Sequence, residues 1–413
     1  MLLVLAACDG QPTRSAPVTL IFKHAKILGP ADPLPGLLRE FEAHHPSVRV
    51  RSEALPWSSD EQHQFYVINL EGGGPAFDVM MLDVIWVSAF AQAGWLLDLT
   101  DVASRAELSA HFPAAVEAAT YRGRLWAMPW IMNVGLLYYR ADLLARYGFE
   151  PPETYYALVA QVKRIRAGEK DAHLNGFLWQ GKQYEGLVVN LLEGLWANGT
   201  RLLGEDGTLF PDGARAEEVL AFLRMLIETG TSPAWTTAAD EELTRRAFGD
   251  GHGIFLRSWP YAMDLFQLEP SAVRGKVGIA PLPRHAHGSR GVGATGGANL
   301  GVDRRTRHHE AAVALVRFLT GAAVQKAMAA GVALNPTRTA LYDDPDLVRA
   351  HPAMPAIAAL TAAARPRPVT PYYPILSATL QPEISAVLVR VRTPREMSAQ
   401  ARRRVEYLLR GIR

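Results

Sequence analysis

Tyr121-Arg-Gly-Arg-Leu-Trp-Ala-Met-Pro-Trp-Ile-Met-Asn-Val-Gly-Leu-Leu-Tyr-Tyr-Arg-Ala-Asp142 is the stretch on which the reading of this 413-residue chain turns. Leu125–Ala127 and Val134–Tyr139 are short apolar, aromatic or β-branched runs of strand type, separated by Pro129-Trp130. The pattern predicts two buried strands with a proline break between them. Asn133 is polar between apolar neighbours and lies close to Trp130. Such a pair suits a crevice in which a few polar groups orient a ligand and aromatic faces cover it. An ordinary strand and turn would give the same pattern without a ligand.

Upstream, Val18–Phe22 is an apolar run, Leu34–His45 has apolar residues at helical spacing, and Val48–Val50 starts another strand. This β-α-β order is the unit of a parallel sheet. Ser58-Ser59-Asp60-Glu61-Gln62 has capping-box spacing and opens a helix predicted to run to Glu71. Asp78–Leu82 is the next strand. Asp83 then stands at its carboxyl end, where ligands bind in open parallel sheets, and the residues after Phe22 share that edge. Downstream, helices outnumber strands. Phe177–Trp179, Gly253–Leu256, Lys276–Ile279 and Ala298–Val302 read as strands, and Tyr184–Trp196, Ala214–Glu228 and His308–Leu319 as helices. Pro366, Pro368, Pro371 and Pro374 break the chain before two last helices, Glu383–Val391 and Ser398–Arg410.

The chain is too long for one ordinary core, so two domains are expected. A formal net charge of +2 gives no electrostatic case for nucleic acid or an anionic surface. The run Arg402–Arg404 is read as a solvated helix face. The only cysteine, Cys8, follows the apolar residues Met1–Ala7, and Leu5-Ala6-Ala7-Cys8 resembles the lipobox of bacterial lipoproteins. Residues 1–16 are therefore expected to be a lipoprotein signal remnant and linker, with lipid attached at Cys8 as the only membrane contact.

Two nucleotide motifs nearly appear. Gly291-Val-Gly293-Ala-Thr-Gly296 fits G-x-G-x-x-G, but a strand rather than a helix follows it, whereas phosphate needs a helix N-terminus there. Gly176–Lys182 has P-loop spacing, but Gln183 replaces the residue that would hold magnesium. The pairs His44-His45 and His308-His309 are adjacent, so they do not share a helix face, and no metal site or cofactor is expected. Asp83 and Glu185 could form a glycosidase acid–base pair, though no spacing supports it. The positive signal is aromatic: Trp57, Trp86, Trp179, Trp259, Tyr261, Tyr372 and Tyr373 stand near polar planar groups. A sugar offers an apolar C–H face and a rim of hydroxyls, so its site needs aromatic platforms with Asp, Asn, Gln and Arg.

Four segments in order resemble the solute-binding proteins of ABC sugar importers, most closely their trehalose/maltose-binding branch. They are Leu125–Pro129 with Gly135–Leu144, Phe177–Val188, Ser258–Tyr261 and Arg367–Pro374. The resemblance implies an α/β, periplasmic-binding-protein-like fold (type II): two lobes, a hinge, and a ligand cleft between them. The expected lobes are 17–131 plus 297–333 and 132–296 plus 334–413. Crossings are expected near Pro129–Asn133, Ala294–Asn299 and Val332–Pro336.

By the family's pattern Asp83, Trp259, Tyr261 and Arg367 line the sugar, with Trp86 close by. Asn133 stands where the family often has aspartate. Gly296-Gly297 matches a pair that precedes a stacking tryptophan, here replaced by Ala298. His63 occupies a place where the family tends to carry arginine, and Asp32 loosely matches a family acidic residue. The resemblance implies a non-enzymatic, monomeric, extracytoplasmic receptor that hands a di- or oligosaccharide to the transmembrane subunits of an ABC permease. Lys23, His24 and Arg367 near one cleft leave open a polyol or glycerophosphodiester ligand, and a secreted glycoside hydrolase is the remaining alternative.

Overall fold

A computed structural model describes residues 17–27, 32–56, 58–74 and 77–410. Cys8 and Trp57 lie outside the described residues. The described residues form eleven strands: β1 Val18–Ala25, β2 Val48–Leu55, β3 Val79–Asp83, β4 Thr120–Tyr121, β5 Arg124–Leu125, β6 Met128–Val134, β7 Leu136–Arg140, β8 Asn175–Leu178, β9 Gly253–Ser258, β10 Val277–Ala280 and β11 Thr295–Val302.

Two sheets carry the molecule, in the orders β2-β1-β3-β11-β6 and β10-β7-β9-β8, beside a two-stranded β4-β5 hairpin. In the first, β1 pairs in parallel with β2 and β3, as the β-α-β reading requires, and β11 returns antiparallel between β3 and β6. Helices Leu34–His44, His309–Leu319 and Ala322–Val332 lay apolar faces on this sheet, with Leu38, Phe41, Leu315 and Met328 in one core with Leu20 and Leu300.

Helix Glu185–Ala197 is buried along its whole length, and its apolar residues lie all round the axis. It forms the spine of the second lobe. Helices Gly213–Glu228 and Tyr373–Leu388 pack against it, and Pro394–Arg410 packs on those two. The molecule thus has two α/β lobes, as expected.

Three local readings are corrected. Pro129 does not break the chain but lies inside β6. Proline removes a ladder donor, so it is tolerated only at sheet edges and bulges. β6 is an edge strand, and its register with β11 shifts between Ala298 and Asn299, opposite Pro129. Gly135 instead separates β6 from β7, and so one sheet from the other.

The proline-rich segment also ends earlier than predicted. Helix Tyr373–Leu388 takes Pro374 into its first turn, where the missing N–H is no loss, and runs on through Pro382.

The Arg402–Arg404 run is tied down in part. Arg402 donates to the carbonyls of Leu209 and Phe210, and Arg404 pairs with the buried Glu383.

The third expected crossing, Val332–Pro336, stays with the first sheet: Met132 N donates to Asn335 O at 2.9 Å. Leu341, Tyr342, Leu347 and Met354 then pack with Phe112 and Met132 of the first lobe, whereas Leu360 and Ala364 meet the second sheet's core. We propose that the lobes divide at Gly135, at Ala294, and along helix Met354–Ala362, in place of residues 131, 296 and 333.

Candidate ligand-binding cleft

A cavity of about 840 Å³ opens between the lobes. Asp83, the last residue of β3, and Trp86 after it form part of one wall. Trp259 and Tyr261, just beyond β9, form part of the other. Asn133, Gly296, Gly297 and Ala298 lie where β6 and β11 pass beneath. Eight of the sequence-derived site residues therefore meet in one place: Asp83, Trp86, Asn133, Trp259, Tyr261, Gly297, Ala298 and Arg367.

Arg367 is held rather than free. Its Nη1 donates to Glu185 Oε1 at 2.8 Å and its Nη2 to Asp83 Oδ1 at 2.8 Å, while Nε has no partner among the described residues. The guanidinium thus joins a carboxylate of the first lobe to one of the second. Glu185 also accepts from the hydroxyls of Tyr373 and Ser377. Burial pushes the Glu185 carboxyl above its ordinary range, against the pull of Arg367 and the two hydroxyls. Asp83 further accepts from Ser59 Oγ at 3.3 Å and Ile85 N at 3.2 Å.

The aromatic platforms are oriented from behind. Trp259 Nε1 donates to Glu241 at 3.2 Å, and Glu241 also accepts from the Tyr184 hydroxyl. Tyr261 donates to Glu242 at 3.2 Å. Trp86 is 2% exposed and stacks on Phe90 at 6.2 Å and 14°. Burial raises the Asp60 carboxyl, and Asp83 and Glu241 raise it further, because carboxylates face one another across the cleft. Asn133 makes no side-chain hydrogen bond to other described residues, which leaves its amide open to a ligand.

Ala298 has no exposed surface and belongs to the first lobe's core with Leu20 and Phe22. Its methyl is a packing group, so no aromatic platform stands at that position.

Three expected residues lie elsewhere. The His24 ring is buried, with its two nitrogens 2.7 Å from Ala25 O and Ser52 Oγ, and burial lowers its pKa. Asp32 accepts from Leu34 N at 2.9 Å, just ahead of the first helix. His63 packs against the rings of Trp86 and Phe90 at 5.5 and 5.7 Å, behind the wall. Sequence matching failed for these three because each position was matched without knowing which way its side chain turns.

The reading also missed Glu241, Glu242 and Tyr184. The signal for the two glutamates was the acidic pair opening the helix that precedes the Ser-Trp-Pro-Tyr segment.

The glycosidase pairing loses its basis here. Asp83 and Glu185 are bound to one guanidinium, so neither is poised as a free acid or base. Among the described residues no cluster of three or more His, Cys, Asp or Glu could hold a metal.

Residues 29–326 match the family of bacterial extracellular solute-binding proteins. A probable ABC transporter-binding protein of Deinococcus radiodurans is 36% identical over 78% of this chain and 77% of its own length. Among solved structures, maltose-bound T. maritima MalE3 superposes with a TM-score of 0.87 at 36% identity, covering 95% of this chain and 100% of that one. An Agrobacterium vitis solute-binding protein with bound D-mannitol shares the fold alone, with a TM-score of 0.80, 21% identity, and 95% and 99% coverage. With the family matched over most of its length, and with two lobes enclosing an aromatic cleft, the chain belongs to the bacterial extracellular solute-binding proteins.

Proposed function

We propose that this protein is the extracytoplasmic receptor of an ABC importer and binds an uncharged di- or oligosaccharide of maltose or trehalose type between its lobes. The observation that carries this is the composition of the cleft: Trp86, Trp130, Trp259, Tyr184 and Tyr261 with Asp83, Asn133 and Glu241. Aromatic faces take the C–H surface of a pyranose, and carboxylates and amides accept from its hydroxyls. The maltose-bound neighbour at 36% identity supports the same reading.

Charge and size bear on the alternatives. Eight carboxylate residues line the cleft (Asp60, Glu61, Asp83, Glu185, Asp240, Glu241, Glu242 and Asp264) against Lys26, Lys182 and Arg367. Arg367 is taken by two of them and Lys182 by Asp240, and Lys23 pairs with Glu53 away from the cleft. An anionic glycerophosphodiester would meet an acidic wall whose buried cation is already paired with two carboxylates. A six-carbon polyol would leave most of 840 Å³ to water, whereas sites of this volume suit ligands of several rings.

Ligand contact by Asp83, Trp86, Asn133, Trp259 and Tyr261, delivery to permease subunits by a monomer, and lipid attachment at Cys8 are parts of this proposal. Closure follows if the ligand binds the closed state better than the open one. A thermal-shift panel of maltose, maltotriose, trehalose, mannitol and glycerophosphocholine tests it. A ligand at a hundredfold excess over its dissociation constant adds about 2.7 kcal/mol of stability. The di- and trisaccharides are expected to raise the melting temperature most. A shift with glycerophosphocholine alone would overturn the reading.

A further inference from the structure

Beneath the cleft lies a buried ion pair that the sugar site does not use. Arg257 of β9 donates from Nε to Glu193 Oε2 at 2.8 Å and from Nη2 to Oε1 at 2.6 Å, and the side chains are 1% and 2% exposed. A bidentate pair this deep carries a large desolvation cost, and well-packed apolar residues often replace such pairs without loss of stability. Its position shows what else it does.

On one side the pair holds both strand crossings between the lobes. Glu193 Oε1 accepts from Ala294 N at 3.0 Å, and Gly135 N donates to Ala294 O at 3.0 Å. Gly135 lies so close that a Cβ there would stand 1.9 Å from Glu193 Oε1 and 2.7 Å from Arg257 Nη2, and a Cβ at Gly293 would stand 2.1 Å from Gly135 O. On the other side the Arg257 guanidinium lies 4.0 Å from the centre of the Trp259 ring, a cation–π seat behind the cleft's aromatic platform. Trp259 in turn rests against Gly296, where a Cβ would come within 3.1 Å of the ring.

We infer that Glu193 and Arg257 are positioning residues that couple the hinge to the stacking platform. When the crossings at Gly135 and Ala294 change their torsions, Glu193 follows Ala294 and Arg257 follows Glu193. Trp259 is then carried to its stacking orientation as the lobes close. This rests on the proposed sugar site, because it assigns Trp259 the platform role.

The test uses the full-length protein with Glu193→Met and Arg257→Met combined, a swap that keeps the volume filled, beside Arg257→Lys. Maltose and maltotriose are the probes, read by calorimetry and by the ligand-induced fall in radius of gyration. Amide exchange at Ala294 is measured without ligand. The double variant is expected to hold its ligand-free melting temperature within a few degrees. Its affinity should fall at least tenfold, its compaction on binding should shrink, and Ala294 should exchange faster. Arg257→Lys keeps the charge without the flat face and should recover only part of the affinity. Wild-type affinity and compaction in the double variant would overturn the coupling, as would unchanged exchange at Ala294. If the wild type binds neither sugar, the reading of the site fails, and exchange at Ala294 alone decides the coupling.

Discussion

Trp259 and Arg367 were both read from sequence as ligand contacts, and they have different characters. Trp259 keeps a face toward the cleft while its indole N–H is held by Glu241. Replacing it with alanine removes aromatic burial of about 1.5–3 kcal/mol, so maltose affinity should fall tenfold or more in calorimetry. Arg367 is 4% exposed and bonded to Asp83 and Glu185 in opposite lobes. Its removal leaves Glu185 buried without its cation. Arg367→Met should therefore cost about 3–5 kcal/mol in urea unfolding, since breaking a buried pair strands the other charge. Lysine should rescue little, because one ammonium cannot bridge two carboxylates as a planar fork does. Aromatic identity made Trp259 legible, but a guanidinium looks the same in sequence whether it serves a ligand or a pair of carboxylates.

At the scale of elements, strand and helix periodicity placed most of the framework. Parallel β1-β3 pairing and the helix after Tyr184 appear where the apolar pattern put them, and helix Ser59–Glu71, with Ser58 accepting from Glu61 N, appears where the capping-box spacing put it. Pro129 was misread because proline alone cannot show whether its strand is an edge opposite a bulge. Gly297 belongs to the same irregularity. Its φ of +112° and a would-be Cβ 2.1 Å from Ile131 O leave room only for glycine. Gly297→Ala should destabilise the protein by roughly 2 kcal/mol or more. It should also weaken maltose binding, since the strand beneath Asn133 would shift. Paired chemical unfolding and calorimetric titration check both outcomes.

The whole molecule is tied across its cleft at a second point. His351 Nδ1 lies 2.9 Å from Asp264 Oδ1. Asp264 follows β9 in the second lobe, and His351 ends a helix whose Leu347 packs with Phe112 and Met132 of the first. The hydrogen bond that His351 donates to the Asp264 carboxylate raises the histidine above its ordinary 6.5, against burial. A raised folded value gives stability that is complete below 6.5 and is lost as pH rises through the folded value. The wild type should thus lose part of its melting temperature as pH rises above 6.5 and through the folded value, and His351→Gln should flatten that change.

This tie was invisible in sequence because its partners are 87 residues apart and only the closed chain path brings them together. The lobes, by contrast, were legible from chain length and the ordered family segments.

The most direct test of the central claim is a calorimetric titration of the protein with maltotriose and maltose at neutral pH. One-to-one saturable binding of at least one of them, abolished or strongly weakened in Trp259→Ala, is the expected result. No binding of either sugar, or an affinity indifferent to Trp259, would contradict the assignment of the cleft.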